Sequence, residues 1–304
     1  MRIAIVTGNR PHTVYLCKEL GKKYNVEAVF HYEDGHLLQK TDLEKSNKKR
    51  KLCERFGSEY VELHYRAFES GEVLPIELQH GYEEADAEYI SSMDYGDISE
   101  DKIHVMKDIN SDETISMIRA IAPDVLICHG GPHYSNDLLE SAPIVLNYHS
   151  GISPLYNGTD SHMFAFANGH PHMSGGTLML MNNKIDGGDI LGHYLPSIEP
   201  GDWPGRLFTK GILGSFILYD RFLSYLSKSP TFSSVQQPSS PLFYYRRINW
   251  SLFHLHQVRL NVLNDICSKY VRDEEIIEYW SCASKTEAAD LLEKRVYKLM
   301  LGHT

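Results

Sequence analysis

Residues 124–151 read DVLICHGGPHYSNDLLESAPIVLNYHSG, two short apolar runs held apart by a turn and a polar segment. Asp124 to His129 and Ile144 to His149 are bounded by Gly, Pro and Ser, and both read as buried β-strands. Between them, Ser135 precedes NDLLESA as the N-cap of a short helix. Strand, helix and strand in this rhythm predict an α/β chain with a Rossmann-like, mostly parallel sheet and helices on both faces. Ligands of such sheets bind beyond the carboxyl ends of the strands. Gly130, Gly131, Asn147 and His149 fall at those ends.

The same rhythm extends upstream. Ser111 caps a helix whose apolar stripe is Ile115, Ile118 and Ile121, and Pro123 ends it before the next strand. At the N-terminus Ile3 to Val6 is a buried strand. It is followed by a loop, a helix with Val14, Leu16, Cys17 and Leu20 inward, and a second strand from Val26 to His31. The turn Thr7-Gly8-Asn9-Arg10 has one glycine rather than GxGxxG, so it reads as a structural turn and not a dinucleotide site. Residues 33–101 are charge-rich and weakly periodic, which predicts helical surface structure. Within them Lys48 to Lys51 stands beside Glu44 and Glu54 at helical spacing, favouring a solvated helix face over a phosphate patch.

Downstream, a helix is expected over Asp160 to Asn168, then strands GGTLMLM and Ile190 to Leu195, and a long helix from Asp202 to Ser227 with Trp203 and Pro204 at its start. The Ser-, Pro- and Gln-rich segment 229–241 reads as a linker. It divides residues 1–228 from a small, mainly helical C-terminal region, 242–304, that carries Arg246, Arg247 and Trp250.

Composition narrows the function. The chain has 304 residues, 42% hydrophobic and 23% charged, enough for one large domain with a smaller appendage. Its formal charge of −10 argues against a broad polyanion-binding surface and for a small-molecule partner rather than nucleic acid. Cys17, Cys53, Cys128, Cys267 and Cys282 are far apart without a CxxC pair, pointing to reduced thiols in a cytoplasmic protein and to no metal. MRIAIVTGNR reads as a first strand, not a signal peptide, and no apolar stretch reaches the ~18 residues of a membrane span.

Residues two apart on a strand point the same way, so Asn147 and His149 face one cleft. An amide NH2 beside an imidazole suits addition of a nucleophile to a carbonyl. The amide donates to the developing oxyanion and the imidazole moves a proton near neutral pH. A carboxylate would fix the imidazole tautomer or stabilise its cation, and Asp186 in the tight IDGGD turn is the candidate. Singly, each of these residues is better explained by structure, because buried histidines often satisfy a carbonyl and DGG is a common turn. Their coincidence at Gly-rich strand ends favours a site.

NYHSGISPLYNG (147–158) resembles the Asn-x-His-x-Ser/Gly-x-x-Pro-x-x-x-Gly block of the folate-dependent formyltransferases, which include the glycinamide ribonucleotide, methionyl-tRNA and nucleotide-sugar N-formyltransferases. GGTLMLMNNKIDGGDIL (175–191) is similar to their Gly-x-Thr-strand-loop-Asp-x-Gly block. The resemblance covers roughly residues 124–204 and implies a formyltransferase catalytic domain over residues 1–228. It implies that Asn147 polarises the formyl carbonyl, His149 serves as acid/base, and Asp186 assists proton transfer. The donor it implies is N10-formyltetrahydrofolate as co-substrate, held by Leu126, Cys128, His129, Gly130 and Gly131 on one side and Asn182 and Ile185 on the other. Tyr156, Asn157 and Gly158 are the expected acceptor-binding residues. Two departures stand out: Tyr156-Asn157-Gly158 replaces the common Tyr-Arg-Gly, and His129-Gly130-Gly131-Pro132 is an unusual pterin loop.

For the acceptor, the region after 241 carries nine Lys/Arg against eight Asp/Glu, which disfavours tRNA. A small amine remains, with a nucleotide-linked amino sugar leading and a peptide or secondary-metabolite amine next. The C-terminal region is expected to shape the acceptor site or a homodimer interface. Two other readings stay open: a formyltetrahydrofolate hydrolase, with water as acceptor, and a catalytically silent binding module.

Overall fold

The computed structural model describes residues 1–32, 42–69, 94–131 and 133–302. Much of the charge-rich stretch 33–101, including most of its acidic part, lies outside the described residues.

The first half of the chain is a succession of β-α units. β1 (Arg2–Gly8), α1 (Pro11–Gly21) and β2 (Asn25–Tyr32) form the first, with Pro11 in the first turn of α1, where its missing N–H costs nothing. Two charged helices follow, α2 (Asp42–Phe56) and α3 (Ser58–Glu69). The basic run in α2 behaves as a solvated face: Lys49 pairs with Glu62 at 2.8 Å and Arg50 with Glu54 at 3.3 Å. Then come β3 (Ile103–Val105), α4 (Asp112–Ile121), β4 (Val125–His129), α5 (Asn136–Leu139) and β5 (Ile144–His149). The expected caps form, Ser111 accepting from the Thr114 N–H and Ser135 from the Leu138 N–H, each at 3.3 Å. Strands β1 to β5 pair in parallel in the order β5-β4-β1-β2-β3.

From β5 onward the sheet changes character. β7 (Gly176–Leu180) pairs antiparallel with β5, β8 (Ile190–Leu195) antiparallel with β7, and β10 (Glu275–Glu278) antiparallel with β8. The result is one eight-stranded sheet, β10-β8-β7-β5-β4-β1-β2-β3. β6 (Tyr156–Gly158) stands apart and pairs in parallel with β9 (Phe243–Tyr245). The remaining helices are α6 (Ser161–Ala167), α7 (Pro204–Lys228), α8 (Leu252–Leu263) and α9 (Lys285–Met300).

Both faces of the sheet are covered, which is why β1 runs apolar through the consecutive positions Ile3, Ala4, Ile5 and Val6 rather than at alternate ones. Ile3 and Ile5 enter a core with Leu16, Tyr148, Tyr219 and Phe222 under α1 and α7. Ala4 and Val6 enter another with Ile115, Ile118, Leu126 and Leu138 under α4 and α5. A third core joins Phe164 and Phe166 of α6, Val258 of α8 and Leu292 of α9 with Trp250 and Tyr279.

The segment read as a linker is bonded along its length. Val235 and Ile190 exchange backbone hydrogen bonds of 2.8 and 2.9 Å, and the Ser233 N–H donates to Trp280 O at 3.1 Å. Ser and Pro exclude helix; they do not exclude contact with a strand edge. Farther on, Arg272 donates to the carbonyls of His172, Pro196 and Ser174 at 2.7, 2.9 and 3.0 Å. The mainly helical C-terminal region thereby contributes two strands, β9 and β10, and a guanidinium that ties it to the sheet.

Candidate active site

The candidate site lies where the parallel half of the sheet meets the antiparallel half, at the junction of β5 and β7. Asn147 is paired with Met179 and His149 with Thr177 across that junction. Thr177 secures the loop after β5, its Oγ1 donating to Gly151 O at 2.6 Å and accepting from the Ser153 N–H at 2.9 Å. This is the physical use of the threonine in the GGTLMLM motif.

The His149 ring is 7% exposed and held at both nitrogens. Nε2 lies 2.9 Å from Tyr156 O, and a carbonyl only accepts, so Nε2 carries a proton. Ser161 Oγ stands 3.4 Å from the same nitrogen. Nδ1 faces Asp186 Oδ1 at 3.4 Å, and the Asp186 side chain is 15% exposed. The second carboxylate oxygen of Asp186 accepts the Gly158 N–H at 2.8 Å. An imidazole with a carbonyl on one side and a carboxylate on the other is fixed in its ring orientation.

Asp186 adopts φ +50, the left-handed region that non-glycine residues seldom occupy. Its carbonyl accepts two amide donors, Asn157 Nδ2 at 2.8 Å and Gln237 Nε2 at 2.7 Å. Two glycines make the close approaches possible. A Cβ on Gly188 would stand 1.6 Å from Leu180 O; one on Gly158, at φ +98, would stand 1.9 Å from Tyr245 O.

A cavity of about 370 Å³ opens over these groups. Asn147, His149 and Asp186 all line it, as do Gly130, Gly131, Asn182, Ile185 and Gly158. Met179, Met181 and Tyr134 add apolar wall, and His133, Thr159, Asp160 and Lys184 add polar groups.

The other expected residues are not brought to the cavity. Leu126 and Cys128 are fully buried in the core under α4 and α5. His129 points through the sheet the other way, its Nδ1 3.4 Å from the Tyr219 hydroxyl, and burial, aided by His12 nearby, pushes its pKa down to about 3. Strand alternation accounts for this: β4 side chains enter the two cores, and the strand reaches the cavity through the Gly130-Gly131 turn beyond its end. Tyr156 is fully buried, stacked on Phe243 at 4.7 Å, with its hydroxyl 2.8 Å from His170 Nδ1. Asn157 is 3% exposed and spends its amide on Asp186 O and on Gln237 Oε1, the latter at 3.1 Å. The β6–β9 pairing turns both residues inward. Trp203 packs at the start of α7 with Arg206 over its ring at 5.6 Å.

Sequence reasoning missed Ser161 and Gln237. Ser161 follows the quoted motif by three residues and was legible as a polar group at a helix start; Gln237 sits in a low-complexity segment that offers no signal. Among the described residues no group of three His, Cys, Asp or Glu could hold a metal ion, and no helix is long and apolar enough to cross a membrane.

Residues 98–211 match the family described as formyl transferase. A methionyl-tRNA formyltransferase of a Nitratiruptor species is 31% identical over 103 residues, 34% of this chain and 33% of that protein. A methionyl-tRNA formyltransferase of Lysinibacillus sphaericus is 28% identical over 124 residues, 40% of this chain and 39% of that protein. The chain thus matches between a third and two fifths of the length of these curated relatives. A sugar N-formyltransferase structure from a Shewanella species superposes with a TM-score of 0.50 at 13% identity, covering 85% of this chain and 87% of that one, a likeness of fold. Asn147, His149 and Asp186 all fall within residues 98–211, the stretch that matches the formyl transferase family.

Proposed function

We propose that this protein is an N-formyltransferase that moves a formyl group from N10-formyltetrahydrofolate to the amine of a small acceptor, with a nucleotide-linked amino sugar as the leading class. The observation that carries the reading is the convergence of Asn147, His149 and Asp186 on one cavity, with His149 Nδ1 3.4 Å from Asp186 Oδ1.

The cavity suits the donor. The Gly130-Gly131 turn and the Asn182 to Asp186 loop offer backbone groups to a flat polar bicycle, while Met179, Met181 and Ile185 supply apolar wall. The donor contributes an activated formyl carbon on nitrogen, and the chain supplies the rest. The Asn147 amide donates to the formyl oxygen as it gains charge on attack by the amine. The His149–Asp186 pair takes up the proton the amine loses and returns one to the donor nitrogen as the old C–N bond breaks. Tyr156 O and the Gly158 N–H fix the two partners from behind, so the pair is aligned before substrate arrives.

The small-acceptor reading is supported by the near-neutral region after residue 241, nine Lys/Arg against eight Asp/Glu, which offers a surplus of only one cation for a tRNA backbone. The named relatives do not choose the acceptor, because the matched segment is the one that holds the transfer chemistry.

The test is incubation of the protein with the folate donor and a panel of amino-sugar nucleotides, simple amines and methionyl-tRNA, read by mass spectrometry for an added formyl group. Formylation of a sugar nucleotide is expected. Formylation of the tRNA alone overturns the acceptor class, and rapid formate release without any amine replaces transfer by hydrolysis.

A further inference from the structure

We infer that Gln237, carried on the segment between α7 and β9, is a positioning residue that sets the Asp186 carboxylate against His149. The inference rests on the roles proposed above for those two residues. Gln237 is 51 residues from Asp186 in sequence. Its side-chain NH2 donates to both Asp186 O and Gly188 O at 2.7 Å, and its Oε1 accepts from Asn157 Nδ2 at 3.1 Å. Two carbonyls facing one end of the amide leave no ambiguity about which end is nitrogen.

The segment is itself anchored at consecutive points along the loop it clamps. Ser234 Oγ donates to Asp189 Oδ2 at 3.2 Å, and Val235 pairs with Ile190 through its backbone. Gln237 completes the row at the residue that needs it most. A non-glycine residue at φ +50 persists only where its surroundings over-determine it. Here the surroundings are two amides on one carbonyl, Asn157 from β6 and Gln237 from the segment after α7, which are also bonded to each other. Releasing the turn lets Asp186 relax toward an ordinary conformation, which swings its carboxylate away from both the Gly158 N–H and the imidazole.

The consequence falls on turnover rather than donor binding. Gln237 does not line the cavity, so it has no contact to offer a substrate. A displacement on the order of 1 Å at a reacting group costs up to about a hundredfold in rate. Gln237→Leu keeps the bulk and removes the donors; Gln237→Glu keeps the shape and sets a carboxylate against two carbonyls. Both are expected to lower kcat at least about tenfold, with KM for the donor changed by less than about threefold. In an Asp186→Asn background, Gln237→Leu is expected to add little, because the two changes act on one group.

A second measurement keeps this apart from the functional reading. In protein labelled with 15N-histidine, Asp186→Asn is expected to move the His149 ring nitrogen resonances at fixed pH, and Gln237→Leu to move them in the same direction, whatever substrate the protein uses. Absence of formyl transfer by the unaltered protein, with the resonances moving as stated, overturns the reaction and leaves the positioning role supported. Resonances that move with Asp186→Asn but not with Gln237→Leu overturn the positioning role. So do an unchanged kcat in an active protein and full additivity in the double variant.

Discussion

The two halves of the sheet are built on opposite principles. In the parallel half, β1 to β5, the pairs β1–β2 and β4–β5 are each joined by a helix laid on one face, so the segment that fills the gap also covers it. In the antiparallel half, β7, β8 and β10, the strands are secured by chain from far away: Val235 beside Ile190, β10 beside β8, and Arg272 on the carbonyls of His172, Ser174 and Pro196. The candidate site stands where the two meet. The difference teaches that Asn147 and His149 sit at the end of a strand set by local chain, whereas Asp186 sits in a turn held by remote chain.

The largest effect should come from cutting the link between the halves. His149→Ala or Asp186→Ala is expected to lower formyl transfer by about 10²–10⁴ while circular dichroism and unfolding midpoint stay close to those of the parent. A fully active Asp186→Ala protein removes the site assignment. Next in size, Arg272→Met separates the antiparallel half from its tie. Three carbonyls at 2.7 to 3.0 Å lose a charged donor, and denaturant unfolding should show a loss of about 3 kcal/mol. A loss that small variants in the parallel half reproduce would erase the contrast.

One effect is shared by both halves and appears on acidification. Burial lowers the pKa of His129 on β4 to about 3 and those of His193 on β8 and His172 near β7 to about 4, from 6.5. The folded protein therefore refuses protons that the unfolded chain accepts below about pH 6.5. Stability falls as the pH drops from 6.5 toward 4 and is restored as it rises again. The unfolding midpoint followed from pH 7 to pH 4 should decline, and His193→Gln should make that decline shallower. A midpoint independent of pH over this range contradicts the burial of these rings.

Local chemistry was legible in the sequence, and remote chemistry was not. Ile144 to His149 forms the strand its apolar run predicts, Ser111 and Ser135 cap the helices they precede, and the spacing of two places Asn147 and His149 on one cavity. Each of these depends on neighbours within a few residues. Asp186 is legible as the carboxylate of the tight IDGGD turn and through the resemblance, although no periodicity brings position 186 to position 149. β10, a four-residue EIIE, gives no signal of its own and acquires its partner from the free edge of β8. His129 shows a different limit: a histidine at a strand end next to two glycines looks like part of a site, yet strand alternation commits its side chain to the core with Tyr219. Asn157, read as an acceptor contact, is consumed by the turn it steadies.

The short ribbon of β6 and β9 makes the chemistry answerable to the C-terminal region. Tyr156 O and the Gly158 N–H, which hold His149 and Asp186, belong to the same three residues that lie alongside Phe243, Tyr244 and Tyr245. The ribbon thereby links the last fifth of the chain to the backbone groups that hold His149 and Asp186. Substitutions at Phe243 to Tyr245 are therefore expected to disturb the geometry of the proposed pair without touching a residue that lines the cavity.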